Sequence, residues 1–369
     1  MIETVLYFAA VTLGLIGVVG TLMPFIPKDD YWIRGWDYPR LQLTFILGVS
    51  ALCWVLATDV TLIGWNTAVG ILLSTATLYQ AYRILPYTKL WSTQSRNAQH
   101  REHDEKHLRL MVCNVLQTNE QSDKVIALVQ KHQPDMLVTL ETNGWWEAQL
   151  DKAILSDYPH KVAVPLENLY GIHLYSKLEL IDPEITYRIT EDIPGINTSI
   201  KLGCGHEVFM YFVHPMPPSP TEAYASTGRD AELALVGKQV KEHGGTSIVA
   251  GDLNDVAWSH STRLFQRLSG LLDPRIGRGL FATFHAEYWL ARWPLDHLFH
   301  TPDLALVSLQ RLPYVGSDHF PILVELSYEP QENEEEGPTA DQEDHDEADE
   351  TIAKAKKKEE DTVASAVEG

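Results

Sequence analysis

The stretch Ser247-Ile248-Val249-Ala250-Gly251-Asp252-Leu253-Asn254 opens as a short apolar run and closes on polar residues after a glycine. So short a run, bounded by a turn residue, reads as a buried strand rather than a helix. A carboxylate and an amide stand where the strand hands over to a loop. The same pattern recurs outward along the chain. Leu108 to Cys113 ends in Asn114, Met136 to Leu140 in Glu141, and Val208 to Val213 in His214-Pro215. Leu295 to Phe299 carries Asp296-His297, and Phe320 to Leu326 is entered through Gly316-Ser317-Asp318-His319. Gly171 to Tyr175 is a further strand. Helical patterns lie between: one capped by Ser122 with Val125, Leu128 and Val129 on its apolar face and broken by Pro134-Asp135, one over Arg229 to Glu242, and one over Ser261 to Leu268. Alternation of this kind predicts an α/β domain over residues 107–328, long enough for one large core. No repeat of solenoid or propeller period interrupts it.

Open α/β architectures gather their sites at strand ends and in the loops that follow. Six polar clusters at such positions therefore predict one convergent site. Singly they say little, since an Asn or Glu after a strand is commonly a turn or solvated residue. Asp296-His297 is different, because a charge inside an apolar strand is costly unless it is paired.

Taken in order, Asn114, Glu141, His214, Gly251-Asp252-Leu253-Asn254, Asp296-His297 and Ser317-Asp318-His319 resemble the endonuclease/exonuclease/phosphatase superfamily. That group includes DNase I-like nucleases, apurinic endonucleases, inositol polyphosphate 5-phosphatases and neutral sphingomyelinases. The resemblance spans about 60% of the chain, and Gly-Asp-x-Asn and Ser-Asp-His are its most specific pieces. It implies a four-layer αββα sandwich, two mixed sheets packed face to face with helices outside, and a phosphoesterase. Hydrolysis of a phosphate ester requires charge neutralisation at the phosphoryl oxygens while an activated water attacks in line. Mg²⁺, for which Mn²⁺ can substitute, prefers hard oxygen ligands. The resemblance makes Glu141 the principal metal ligand, Asp318 a second, and Asn114 an orienter of phosphate or metal-bound water. His319 is the general base or else a cation polarising the phosphate, oriented by Asp296. Asp252 and Asn254 position the nucleophile, and His214 assists the leaving oxygen. His297 reads as structural. Because apurinic endonucleases carry no clear counterpart of His214, the chain leans away from them and toward DNase-like and sphingomyelinase-like members. The aromatic segments Trp145-Trp146 and Tyr288 to Trp293 read as buried or interfacial packing, the alternative being surfaces that stack on bases or touch lipid.

Residues 1–90 have another character. Three apolar runs, Thr4 to Ile26, Leu41 to Thr58 and Leu62 to Leu85, are each long enough to cross a bilayer core. The first is too long for a signal-peptide core and has no small-residue cleavage site. The bland alternative is a set of buried helices in a soluble domain. Three spans make the lipid bilayer a partner. Likeness to bacterial members with an apolar N-terminal region implies a multi-pass protein of the bacterial inner membrane. Lys28, Arg34, Arg40, Arg83, Lys89 and Arg96 all fall on one side of such an arrangement, which leans the large domain toward the cytoplasm.

A polar linker occupies 91–106, and 329–369 is a low-complexity tail with 16 acidic and 4 basic residues, expected to stay disordered. It accounts for about −12 of the formal net charge of −21. The remainder shows no basic stripe of the kind that neutralises a nucleic-acid backbone, which weakens a nuclease reading without removing it. Cys53, Cys113 and Cys204 make neither a metal spacing nor a disulfide framework. The expected protein is thus a membrane-anchored, metal-dependent phosphoesterase acting on a nucleic acid or lipid head group, with no protein partner inferable. The alternative is a tethered binding or scaffold protein with an inactive phosphoesterase fold.

Overall fold

The computed structural model describes residues 1–59, 64–99, 102, 104–331 and 337–368. Among the described residues, four α-helices come first: α1 (Ile2–Leu22), the short α2 (Tyr31–Arg34), α3 (Arg40–Ala57) and α4 (Trp65–Ile84). Then follow β1 (His107–Asn114), α5 (Ser122–His132), β2 (Met136–Leu140), α6 (Gly144–Ile154), β3 (His160–Val164), β4 (Ile172–Ser176), β5 (Ile181–Thr186), β6 (Gly195–Lys201) and β7 (Glu207–Val213). The chain continues through α7 (Thr227–His243), β8 (Ser247–Asp252), α8 (His260–Ser269), β9 (Asp296–His300), β10 (Leu304–Arg311), β11 (Ile322–Tyr328) and α9 (Gln342–Glu368).

Among the described residues, eleven strands make two sheets, ordered β10-β11-β1-β2-β4-β3 and β5-β6-β7-β8-β9. Side chains alternate across each strand, so every central strand faces two cores. In β1, Leu108, Leu110 and Val112 point to the opposite sheet and meet Ile200, Met210, Phe212, Ile248 and Ala250. Met111 and Cys113 point the other way, onto Val125 and Val129 of α5 and Trp146 and Leu150 of α6. The second sheet repeats the arrangement, with Tyr211, Val213, Val249 and Phe299 packed on Leu233 and Val236 of α7 and Phe265 of α8. Helix, sheet, sheet, helix is the expected sandwich. Ser122 is the first helical residue rather than the cap; Gln121 holds the cap position and makes no side-chain capping bond.

Two expectations need correction. The acidic tail is not an uninterrupted disordered segment: from Gln342 it forms α9. Ala348, Ile352 and Ala355 recur at helical spacing and pack against Ala231, Ala234, Leu264 and Leu268 of α7 and α8. Around that stripe, Arg267 holds Asp344 in a two-point bond (2.7 and 2.6 Å) and His260 meets Glu347 at 2.6 Å. Acids that look like solvated charge in sequence thus have basic partners on the domain.

The three expected spans become two helices long and apolar enough to cross a membrane among the described residues, Ile2–Phe25 and Arg40–Ala57, with mean hydropathies of 2.2 and 1.7. The third run begins at Leu62, outside the described residues. Its helix, α4, carries Asn66, Thr67, Ser74, Thr75, Thr77, Gln80 and Arg83, which leave it less apolar than the other two. Multi-pass insertion in the bacterial inner membrane is therefore not supported, and the sidedness argument, which counted three spans, falls with it. Only 28% of each apolar stretch is buried. The bundle is nonetheless tight, since Gly14, Gly17 and Gly20 of α1 let α3 approach and a Cβ at Gly17 would stand 2.5 Å from Leu47.

Candidate active site

Topology explains why distant residues meet. Parallel pairing of β1 with β2 brings Asn114 and Glu141 out at one edge, and parallel pairing of β7 with β8 does the same for His214 and Asp252. Strand β9 runs antiparallel to β8 and places Asp296 directly opposite Asp252. Antiparallel β11 enters beside the end of β1, delivering Ser317, Asp318 and His319 to the same edge. Local backbone is bent to serve this. Glu141 and Asn254 lie in the left-handed region, at φ 58° and 50°, conformations that cost non-glycine residues of order 1–3 kcal/mol. At Gly251, φ is 151° and a Cβ would sit 1.9 Å from the Val213 carbonyl, so only glycine fits.

Facing carboxylates on neighbouring strands repel. His319 resolves the conflict: its Nδ1 bonds Asp296 Oδ2 at 2.7 Å and its Nε2 stands 3.4 Å from Asp252 Oδ2. Burial opposes a charge on this ring, yet Asp296 and Asp252 outweigh it and raise its pKa to about 10. His319 is thus an imidazolium clamped between two acids. Burial pushes Asp252 up to about 7, with His319 pulling the other way. Burial likewise raises Glu141 to about 7 against a hydrogen bond from Asn114. His214 is depressed to about 3 by burial and then by the His319 charge, so it is a neutral ring, with Nε2 4.0 Å from Asp252.

Asn114 differs from expectation in what it orients. Its Nδ2 donates to Glu141 Oε1 (2.7 Å) and Asp252 Oδ2 (3.1 Å), while its Oδ1 accepts from Leu116 N. It ties two carboxylates together across the two sheets. Asn254 donates to Asp252 Oδ1 from its backbone (2.9 Å) and from Nδ2 to the Pro215 carbonyl (3.0 Å). Asp318 accepts from Ser317 Oγ and lies close enough to act on the charges of Glu141 and His319. His297 stands apart, held by Arg275 (2.6 Å) and the Asp255 carbonyl (2.8 Å).

Sequence reasoning missed two groups. Tyr38, from the segment before α3, donates its hydroxyl to the Asn254 carbonyl at 2.7 Å. Arg229 donates to the same carbonyl at 2.8 Å and pairs with Asp255 at 3.2 Å. The adjacent cation and acid Arg229-Asp230 near the start of a helix were a visible cue for the second. Nothing local marks Tyr38.

The arrangement fits a divalent cation. Glu141, Asp252, Asp296 and Asp318 exceed the one imidazolium in charge, and Asp296 Oδ1 is buried with no hydrogen-bond partner among the described residues. Donor atoms of Asp252, Asp296 and His319 lie within 4.8 Å of one another, though the His319 nitrogens already face carboxylates. Another cleft lies between residues 86–96 and Gly337-Pro338-Thr339, and its lining among the described residues holds no Asp, Glu, His or Cys.

Residues 111–319 match the model of the Endonuclease/Exonuclease/phosphatase family. The chain belongs to that family. It is accordingly of hydrolytic phosphoesterase kind, and its family is typically dependent on divalent metal. Among solved structures, D. rerio TDP2 humanized by 14 mutations is 16% identical, with a TM-score of 0.50, covering 60% of this chain and 99% of that one. An endonuclease/exonuclease/phosphatase from Beutenbergia cavernae is 16% identical (TM-score 0.49; 61% and 72% covered). The human Nocturnin catalytic domain with bound sulfate is 15% identical (TM-score 0.48; 60% and 95% covered). At such identity, the TDP2 likeness speaks of fold alone. No curated protein matches the chain.

Proposed function

We propose that this chain is a membrane-anchored, divalent-metal-dependent phosphoesterase, with Mg²⁺ as the working ion. The observation that carries the reading is the clamp of His319 between Asp252 and Asp296 at the edge where Asn114, Glu141, His214, Asn254 and Asp318 also meet. Glu141 and Asp318 offer the hard oxygens to hold the ion, which would supply Lewis-acid neutralisation of the phosphoryl oxygens. Asp252, its carboxyl raised toward neutrality, is the group placed to take a proton from the attacking water. His319, fixed by Asp296, acts as the cation facing the phosphoryl oxygens rather than as the base. Neutral His214 is suited to donating a hydrogen bond to the leaving oxygen. Asn254 fixes the Asp252 carboxylate, and Asn114 keeps it in register with Glu141. Anchoring is supported by the outward apolar faces of α1 and α3, where Phe8, Leu15, Leu22, Phe45, Leu52 and Leu56 are exposed.

The test is turnover of bis(p-nitrophenyl) phosphate by the full chain in detergent. Asp252→Asn and His319→Ala should each lower kcat by about 10²-fold or more. Near-normal turnover in both would move the site elsewhere.

A further inference from the structure

The segment from Ala282 to Leu295 runs between the catalytic imidazole and the helical bundle. At its base, Thr283 Oγ1 accepts from the Asp296 backbone (3.2 Å), its carbonyl accepts from Phe320 N, and the Phe284 ring lies 4.9 Å from that of His319. At its tip, Gln42 of α3 donates to the Leu290 carbonyl at 2.6 Å. Tyr288, Trp289 and Leu290 stand there side by side, 62%, 74% and 63% exposed. Three consecutive large apolar residues left in water are a strong surface cue.

The height of this tip is informative. Gln42 belongs to the first turn of α3, where the second apolar span begins, and its neighbours Leu41 and Phe45 are exposed on the same helix. The tip therefore stands beside the first turn of that apolar helix. If α3 spans a bilayer, its first turn falls in the head-group region, where Trp and Tyr concentrate. A second segment beside the bundle matches it. Exposed Tyr224 packs edge-on against Tyr31 (5.3 Å), and exposed Trp32 follows in α2. The domain is also fastened in place, because Tyr38 holds the Asn254 carbonyl, Arg83 the Trp258 carbonyl, and the Trp258 indole the Asp37 carbonyl.

We infer that loop 284–293 is a bilayer-docking element that seats the site on the head-group layer, and that the substrate is a phosphate ester carried by a membrane lipid. This rests on the phosphoesterase and anchoring readings above. A nucleic-acid strand is disfavoured, because the tip is aromatic and aliphatic rather than basic. Its one cation, Arg292, is turned back onto the His285 and Ala286 carbonyls. In the reaction, the water oxygen bonds to phosphorus and the ester P–O bond breaks. The leaving alcohol takes up the proton that water gives away.

The experiment uses the full chain reconstituted in vesicles of phosphatidylethanolamine and phosphatidylglycerol. An environment-sensitive fluorophore is attached at Trp289→Cys, with Cys53→Ser and Cys204→Ser; Cys113 is buried and does not compete. The expected result is a blue-shifted probe quenched by brominated lipid tails. The paired Trp289→Ser, Leu290→Ser variant should lose about 10-fold or more in turnover of the vesicle phospholipid, yet stay within about 2-fold of wild type on soluble bis(p-nitrophenyl) phosphate. A water-exposed probe on a protein that resists carbonate extraction overturns docking while leaving anchoring intact. An equal loss on both substrates, or about 10-fold faster turnover of a single-stranded oligonucleotide than of vesicle lipid, overturns the substrate class. Release by carbonate removes anchoring and docking together, and no turnover of the soluble ester removes the phosphoesterase reading itself.

Discussion

Replacing Tyr38 by Phe removes one oxygen and asks whether the helical region helps to build the site. The Tyr38 hydroxyl donates to the Asn254 carbonyl at 2.7 Å, and Asn254 in turn fixes Asp252 through its own backbone N–H at 2.9 Å. A neutral hydrogen bond of this kind is worth about 0.5–1.5 kcal/mol net. Arg229 still donates to that carbonyl, so the acceptor is not left bare. The cost therefore belongs at the lower end for stability, about 0.5–1 kcal/mol. If all of it falls on the catalytic loop, kcat drops about 2- to 5-fold. The Asn254 backbone, held at φ 50°, has strain to release when a restraint goes. The assay is kcat on a soluble phosphodiester with the chemical-denaturation midpoint measured alongside. Tyr38→Phe should lower kcat with little change in KM, and Tyr38→Ala, which also loses the ring against Trp293, should lower it further. Wild-type kcat in both variants would refute the idea that the helical region positions the site.

Deleting residues 342–369 strips α9 from α7 and α8 and uncovers the faces that Ala348 and Ile352 now bury; stability should fall by about 2–4 kcal/mol by denaturant titration, with kcat retained. Acid should weaken the domain through His173 and His300, which burial holds at about 4 in the folded state. Because the unfolded chain binds those protons from about pH 6.5 downward, stability is full above that value and is lost as pH falls toward 4. The slope approaches about 1.4 kcal/mol per pH unit for each ring, and His173→Gln should flatten it.

Much of the site was legible because its geometry is local. Central strands such as β1, β2 and β8 are buried on both faces and read as apolar runs, so the polar residue ending each run stands out. Edge strands gave no such contrast. β3 is only half-buried along its length and β5 mostly exposed, and neither alternates cleanly. The packing expected of Trp145-Trp146 is met by Trp146, which is wholly buried on α6. The tail misled through averaging, since three apolar residues among many acids define α9's contact. Tyr38 could not be found from sequence at all. It reaches Asn254 across 216 positions, and a tyrosine near a proline at the edge of an apolar run has many other uses. The role of His319 was open in sequence between base and cation. Only the register that sets Asp252 opposite Asp296 explains why its ring stays charged.

The central claim is a hydrolytic site in which Glu141 holds a divalent ion beside the Asp252–His319–Asp296 clamp. Its most direct test is turnover of bis(p-nitrophenyl) phosphate by EDTA-treated full chain before and after adding Mg²⁺, in wild type and Glu141→Gln. The account predicts no turnover without metal, recovery in the wild type, and recovery lower by about 10²-fold or more in the variant. Equal rates with and without metal, or full recovery in Glu141→Gln, would contradict it.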